Sequence, residues 1–203
     1  MHRILLASLA AVALAAPASA EPRTHRDFSR VSAGGGYEVN VTVGRDFSVD
    51  VSGPGAHLVE TRVANGELRI APVRRSGWGR RPRASITVSM PRLEGLDVSS
   101  GVDLTARNVT ASAFALDVSS GAHVTIDGSC DALTLDVSSG AVINARDFQC
   151  ARGSIDASSG ARASVRINGP LDVDASSGAT IAAGDEAVLR NVSLSSGGSF
   201  NRR

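Results

Sequence analysis

Five aspartates recur in one position of a repeating pentapeptide: Asp97, Asp117, Asp136, Asp156 and Asp174 each open a DVSSG or DASSG motif. Carboxylates brought into a single row repel one another unless something answers their charge. Three answers are open: Asx-type bonds to the following turn amides, arginine partners, or a bound cation such as calcium. The row lacks the glycine-rich nonapeptide of calcium-binding β-rolls. A second group lies between Val73 and Ala84, where Arg74, Arg75, Arg80, Arg81 and Arg83 surround Trp78. Gly77, Gly79 and Pro82 make this stretch a loop. Its chemistry is that of an anion site, with guanidinium groups for phosphate or carboxylate and an indole to stack on a sugar. A solvated hairpin tip is the bland alternative. The third group is Cys130 and Cys150, the only cysteines, each six residues before the Asp of its repeat. They share a column of adjacent repeats, at a spacing within disulfide reach. The pattern therefore predicts a Cys130–Cys150 bond.

Catalytic constellations are not evident. There is no HExxH, GxSxG, P-loop or dinucleotide fingerprint. The chain contains no lysine, which excludes Schiff-base chemistry. His25, His57 and His123 are scattered, and His123 beside Asp103 reads as a surface pair. The expectation is a protein that is not an enzyme and carries no cofactor. The charge balance of 21 basic to 20 acidic residues argues against a nucleic-acid partner.

The elements that position these groups are set by the repeat. The motif recurs as DVSSG, DVSSG, DVSSG, DASSG, DASSG and SLSSG, ending at Gly101, Gly121, Gly140, Gly160, Gly178 and Gly197. Leu96, Leu116, Leu135, Ile155, Val173 and Val192 precede the motif's second position by two residues. Apolar residues alternate with polar ones on either side, a period of two that marks strands with one face inward. Short strands, a Gly corner and no helical spacing predict an all-β parallel β-helix of about six rungs, each of 18–20 residues. Each rung buries its face only against the next. The second Ser of each motif (Ser100, Ser120, Ser139, Ser159, Ser177, Ser196) falls in phase with the inward columns, which predicts an internal hydroxyl ladder.

Three segments follow. Arg3, the apolar run Ile4–Ala16 and Ala18-Ser19-Ala20 form a secretory leader, so residues 1–20 are expected to be removed before Glu21. Residues 21–91 form a β-rich cap or irregular rungs, with Asn65-Gly66 as a hairpin turn. Residues 92–203 hold the regular rungs. No later segment is apolar enough to span a bilayer, and the expected location is the periplasm, the cell surface or the medium.

The leader, the GELRI hairpin, the segment ITVSMPRLEGLDVSSG and the Ser-Gly rungs together resemble the head GIN domain of putative auto-transporter adhesins, over roughly residues 28–197. The resemblance implies a bacterial cell-envelope protein with a right-handed β-helix-like fold. It carries over no functional residue. The leading expectation is a binding or adhesin-like module for an acidic glycan, lipopolysaccharide or protein, with open solenoid ends that allow self-association. A carbohydrate-active β-helix enzyme and a purely structural envelope protein are the alternatives.

Overall fold

A computed structural model describes residues 20–73 and 83–202. The expected leader, and Arg74, Arg75, Trp78, Arg80 and Arg81 of the basic loop, lie outside the described residues. The chain is all-β. Its cap-side strands are β1 (Glu21–Arg23), β2 (Arg30–Ala33), β3 (Glu38–Val43), β4 (Ser48–Ser52), β5 (Val59–Ala64), β6 (Glu67–Pro72) and β7 (Ser85–Met90). The rung strands are β8 (Gly95–Val98), β9 (Asp103–Val118), β10 (His123–Val137), β11 (Val142–Ala157), β12 (Arg162–Ile167), β13 (Pro170–Ala175), β14 (Thr180–Ala183), β15 (Val188–Leu194) and β16 (Ser199–Arg202).

These strands form one sheet wound on itself, with two branches facing across an apolar interior. Branch I runs β1-β4-β7-β3-β9-β10-β11-β12-β14-β16. Branch II runs β5-β6-β2-β8-β9-β10-β11-β13-β15. Strands β9, β10 and β11 are long enough to bend through the corner and serve both. From β2 and β3 onward every rung-to-rung contact is parallel. Six Ser-Ser-Gly turns enclose five complete coils between them, one fewer than the expected six rungs.

The order in space departs from the order in sequence at the start of the solenoid. Strands β2 and β3 form a rung that lies between β6–β7 on one side and β8–β9 on the other. Beyond β6 and β7 the pairing becomes antiparallel, with β5 on β6, β4 on β7 and β1 on β4. Asn65 (φ 52°) and Gly66 (φ 73°) close the β5–β6 hairpin, the positive-φ pair of a type I′ turn.

Inward columns are as the period of two requires. Leu96, Leu116, Leu135, Ile155 and Val173 are buried, as are Val98, Val118, Val137, Ala157 and Ala175. Phe114 and Phe148 meet edge to face inside, 5.2 Å apart. Among the described residues no polar or charged side chain is buried. Cys130 and Cys150 are in-register partners of β10 and β11 and form a disulfide, with Cα atoms 4.5 Å apart.

The expected hydroxyl ladder does not form. The second Ser of every turn is exposed, with φ between 46° and 58°. The Gly after it also has positive φ, so the turn is again of type I′. Two left-handed residues in succession break the strand alternation, and the parity that places the second Ser inward ends at the turn. The turns stack through backbone instead. Gly101 N–H donates to the Ser120 carbonyl at 3.1 Å, Gly121 to Ser139 at 3.1 Å, and Gly140 to Ser159 at 3.0 Å.

Candidate functional site

The aspartates occupy consecutive registers of branch II: Asp97 beside Asp117, Asp117 beside Asp136, Asp136 beside Asp156, and Asp156 beside Asp174. Parallel pairing places neighbours about 4.8 Å apart, so the carboxylates form an unbroken outward ladder. They alternate with the buried Leu and Val columns, which is why they cannot turn inward. Of the three answers to their repulsion, two find no support among the described residues. Among the described residues no turn amide and no arginine is hydrogen-bonded or ion-paired to the five side chains, and the Ser32 hydroxyl donates to Asp97, at 3.4 Å. The Gly amide of each of these five turns donates to the next rung, the first Ser amide to the previous rung, and the residue after the Gly in the later turns donates within the turn, so these amides are not offered to the Asp. No group of three or more acidic, His or Cys side chains among the described residues is arranged to hold a metal ion.

All five side chains are exposed along the ladder. Partial burial raises the Asp117 carboxyl above its ordinary value, and Asp97 and Asp136 raise it further. Partial burial likewise raises Asp156, with Asp136 and Asp174 adding to it.

Register extends this column beyond the repeat. Ser32 pairs with Asp97 on one side and Arg69 on the other, and Arg69 pairs with Arg62. One outward column thus reads Arg62, Arg69, Ser32 and then five Asp. Its basic end was hidden in the sequence because β5 and β6 lie outside the repeat. Only their pairing with β2 aligns them; the hairpin turn Asn65-Gly66 was the available signal. Beside the ladder, Gly95, Ala115 and Thr134 are small enough to leave a trough of about 270 Å³, with Arg30 at its end.

Arg83, at the edge of the basic loop, is described and exposed, and its carbonyl accepts from Gly55 N–H at 2.9 Å. The loop joins β6 in branch II to β7 in branch I. In the regular rungs that passage is made by a Ser-Ser-Gly turn, so the ends of the loop stand on the same corner as the turns. His123 Nδ1 lies 3.7 Å from Asp103 Oδ1 with both side chains exposed (60% and 75%), the geometry of a surface pair. No helix among the described residues is long and apolar enough to cross a membrane.

No curated protein matches the chain. Among solved structures it is similar to a putative adhesin from Bacteroides fragilis, with 14% identity, 91% of this chain and 96% of that chain covered, and a TM-score of 0.72. A putative adhesin from Parabacteroides distasonis is also similar, at 12% identity over 91% of this chain and 96% of that one, TM-score 0.55. A putative lipid binding protein from the same species matches at 14% identity over 92% and 97%, TM-score 0.54. At such identities the likeness is one of fold. The family model described as "Putative auto-transporter adhesin, head GIN domain" matches residues 27–186, and the chain belongs to that family.

Proposed function

We propose that this chain is an exported, non-enzymatic binding module of the bacterial envelope, which presents ligand-contacting groups on the outside of a rigid solenoid. One observation carries the proposal: among the described residues no Asp, Glu, Arg or His side chain is buried, and the interior is built of apolar side chains with the Tyr37 ring among them. Acid–base and nucleophilic catalysis draw on partly desolvated groups held in convergent geometry. A long, flat, in-register face suits recognition of an extended partner. The disulfide is consistent with an oxidising compartment.

The ligand class follows from the basic loop. Arg74, Arg75, Arg80, Arg81 and Arg83 around Trp78 suit an acidic glycan or the phosphates of lipopolysaccharide. Binding of the chain from Glu21 onward to acidic polysaccharide and lipopolysaccharide, compared with a loop variant carrying Gln for the five arginines and Ala for Trp78, tests this. A loss of at least tenfold is expected. Equal binding by both proteins removes the loop from the proposal.

A second reading, assembly through the solenoid end, has its own observation. Val188, Val192 and Leu194 of the last rung are 59%, 45% and 47% exposed. Sedimentation of the chain and of Val192→Asp/Leu194→Asp decides it: concentration-dependent association lost in the variant supports assembly, and a monomer in both refutes it.

A further inference from the structure

Branch I carries a second basic feature, separate from the loop and from the acidic ladder. Ala145 and Val165 are in-register partners of β11 and β12, so the residues that follow them, Arg146 and Arg166, emerge from adjacent rungs on the same corner. Rung lengths change there. Ala145 pairs with Val165, but the next pair is Gln149 with Arg166, so β11 bulges out by three residues over a shorter rung. The following rung contributes the small residues Ala182, Ala183 and Gly184 at this place, with Glu186 beside them. The step and the small side chains open a cavity of about 270 Å³, lined by Arg146, Ser164, Arg166 and Glu186.

Neither guanidinium group is committed to an ion pair among the described residues. On the two preceding rungs Arg107 is answered by Asp127, 4.0 Å away. Arg146 contacts only the Ser164 hydroxyl, at 3.5 Å, and neither Arg146 nor Arg166 has a carboxylate partner among the described residues. Glu186 folds over Gly184, with its carboxylate 2.8 Å from where a Cβ at Gly184 would stand. It is thus beside the pair, in reach of a ligand. Two cations and one anion leave the cavity with one net positive charge, which suits a monoanion better than a phosphate dianion.

We propose that this cavity is a binding site for one acidic sugar unit. The carboxylate of a uronate lies on the forked donors of Arg146 and Arg166. Ser164 and Glu186 exchange hydrogen bonds with ring hydroxyls, and Ala182 and Gly184 allow the ring to approach. This deepens the binding reading above and rests on it.

The test is calorimetric titration of the chain from Glu21 onward with oligogalacturonate and with its methyl ester. The acid oligomer binds, and the ester, which has the ring but not the charge, binds at least tenfold more weakly. Arg146→Gln/Arg166→Gln loses at least tenfold in affinity for the acid. Arg146→Lys/Arg166→Lys keeps the charge without the fork and loses less. Both variants keep the parent's melting temperature, since both side chains are exposed. Unchanged binding by the Gln variant, equal binding of acid and ester, or no binding of the acid oligomer by the parent overturns the site. The loop variant separates the two proposals. If it loses envelope polysaccharide while the Gln variant does not, the binding reading stands and the cavity falls.

Discussion

Asp117 sits between two like charges, and its pH behaviour follows from that. Its carboxyl is raised above the ordinary 3.8, by partial burial first and then by Asp97 and Asp136. The folded state therefore holds its proton more tightly than the unfolded chain does. Stability falls as pH rises from about that ordinary value through the raised one, and the cost persists at neutral pH. Asp117→Asn is expected to raise the urea midpoint at pH 7 and leave it unchanged at pH 3. A midpoint that drops at pH 7 would mean the carboxylate has a partner there. A few residues away, Ser120 tests the turn. It is exposed with φ 53°, a conformation that strains branched side chains. Ser120→Val is expected to cost on the order of 1–2 kcal/mol in chemical denaturation, although nothing covers the side chain. Had the hydroxyl faced inward as period-two counting implies, Val would be welcome in the core. Counting fails here because it assumes extended backbone, and nothing in the letters Ser-Ser-Gly states that the Ser, as well as the Gly, takes positive φ.

Strand pairing is the scale at which the sequence was most informative. Identical columns in successive repeats can stack only in register, so the Leu, Val and Ala columns, the Asp ladder and the Cys130–Cys150 pair all follow from the spacing. The disulfide joins β10 to β11, closing a segment of 20 residues. In the chain-entropy account such a closure is worth about 3 kcal/mol. Cys130→Ala/Cys150→Ala is expected to lose about 2–4 kcal/mol of unfolding free energy in urea, and reduction of the parent should give the same loss. A change below about 0.5 kcal/mol would show that the bond adds little constraint to an unfolded chain that already retains structure here. What the repeat could not express was its own interruptions. The basic end of the Asp column depends on β5 and β6 reaching β2, and the Arg146–Arg166 cavity depends on a rung shorter than its neighbour. Both arise where spacing departs from the mean, and a pattern read for regularity discards those departures.

Across the whole molecule, the two ends of the solenoid are closed differently. At the start, the antiparallel strands β1, β4 and β5 overlie the parallel stack, Val49 and Val51 are fully buried beneath β1, and Pro22 and charged residues occupy the outermost strands. At the other end, β15 and β16 pair on one side only. Val192 and Leu194 continue the columns that bury Val173 and Ala175, yet they remain 45% and 47% exposed. A stack in which each rung contacts only its neighbours has a stability close to a sum of local terms, so a rung with one neighbour opens first. Hydrogen exchange followed by mass spectrometry should therefore show graded protection. Amides of β15 and β16 exchange fastest, β13 and β14 follow, and β9–β11, held on both sides and tied by the disulfide, exchange only with global unfolding. Protection that is uniform from β9 to β16 would refute local opening and point to a cover on the last rung, as end-to-end assembly would supply. Repeating the exchange over a range of protein concentrations separates these cases. Assembly protects β15 and β16 progressively as concentration rises, whereas a solitary solenoid leaves the gradient unchanged.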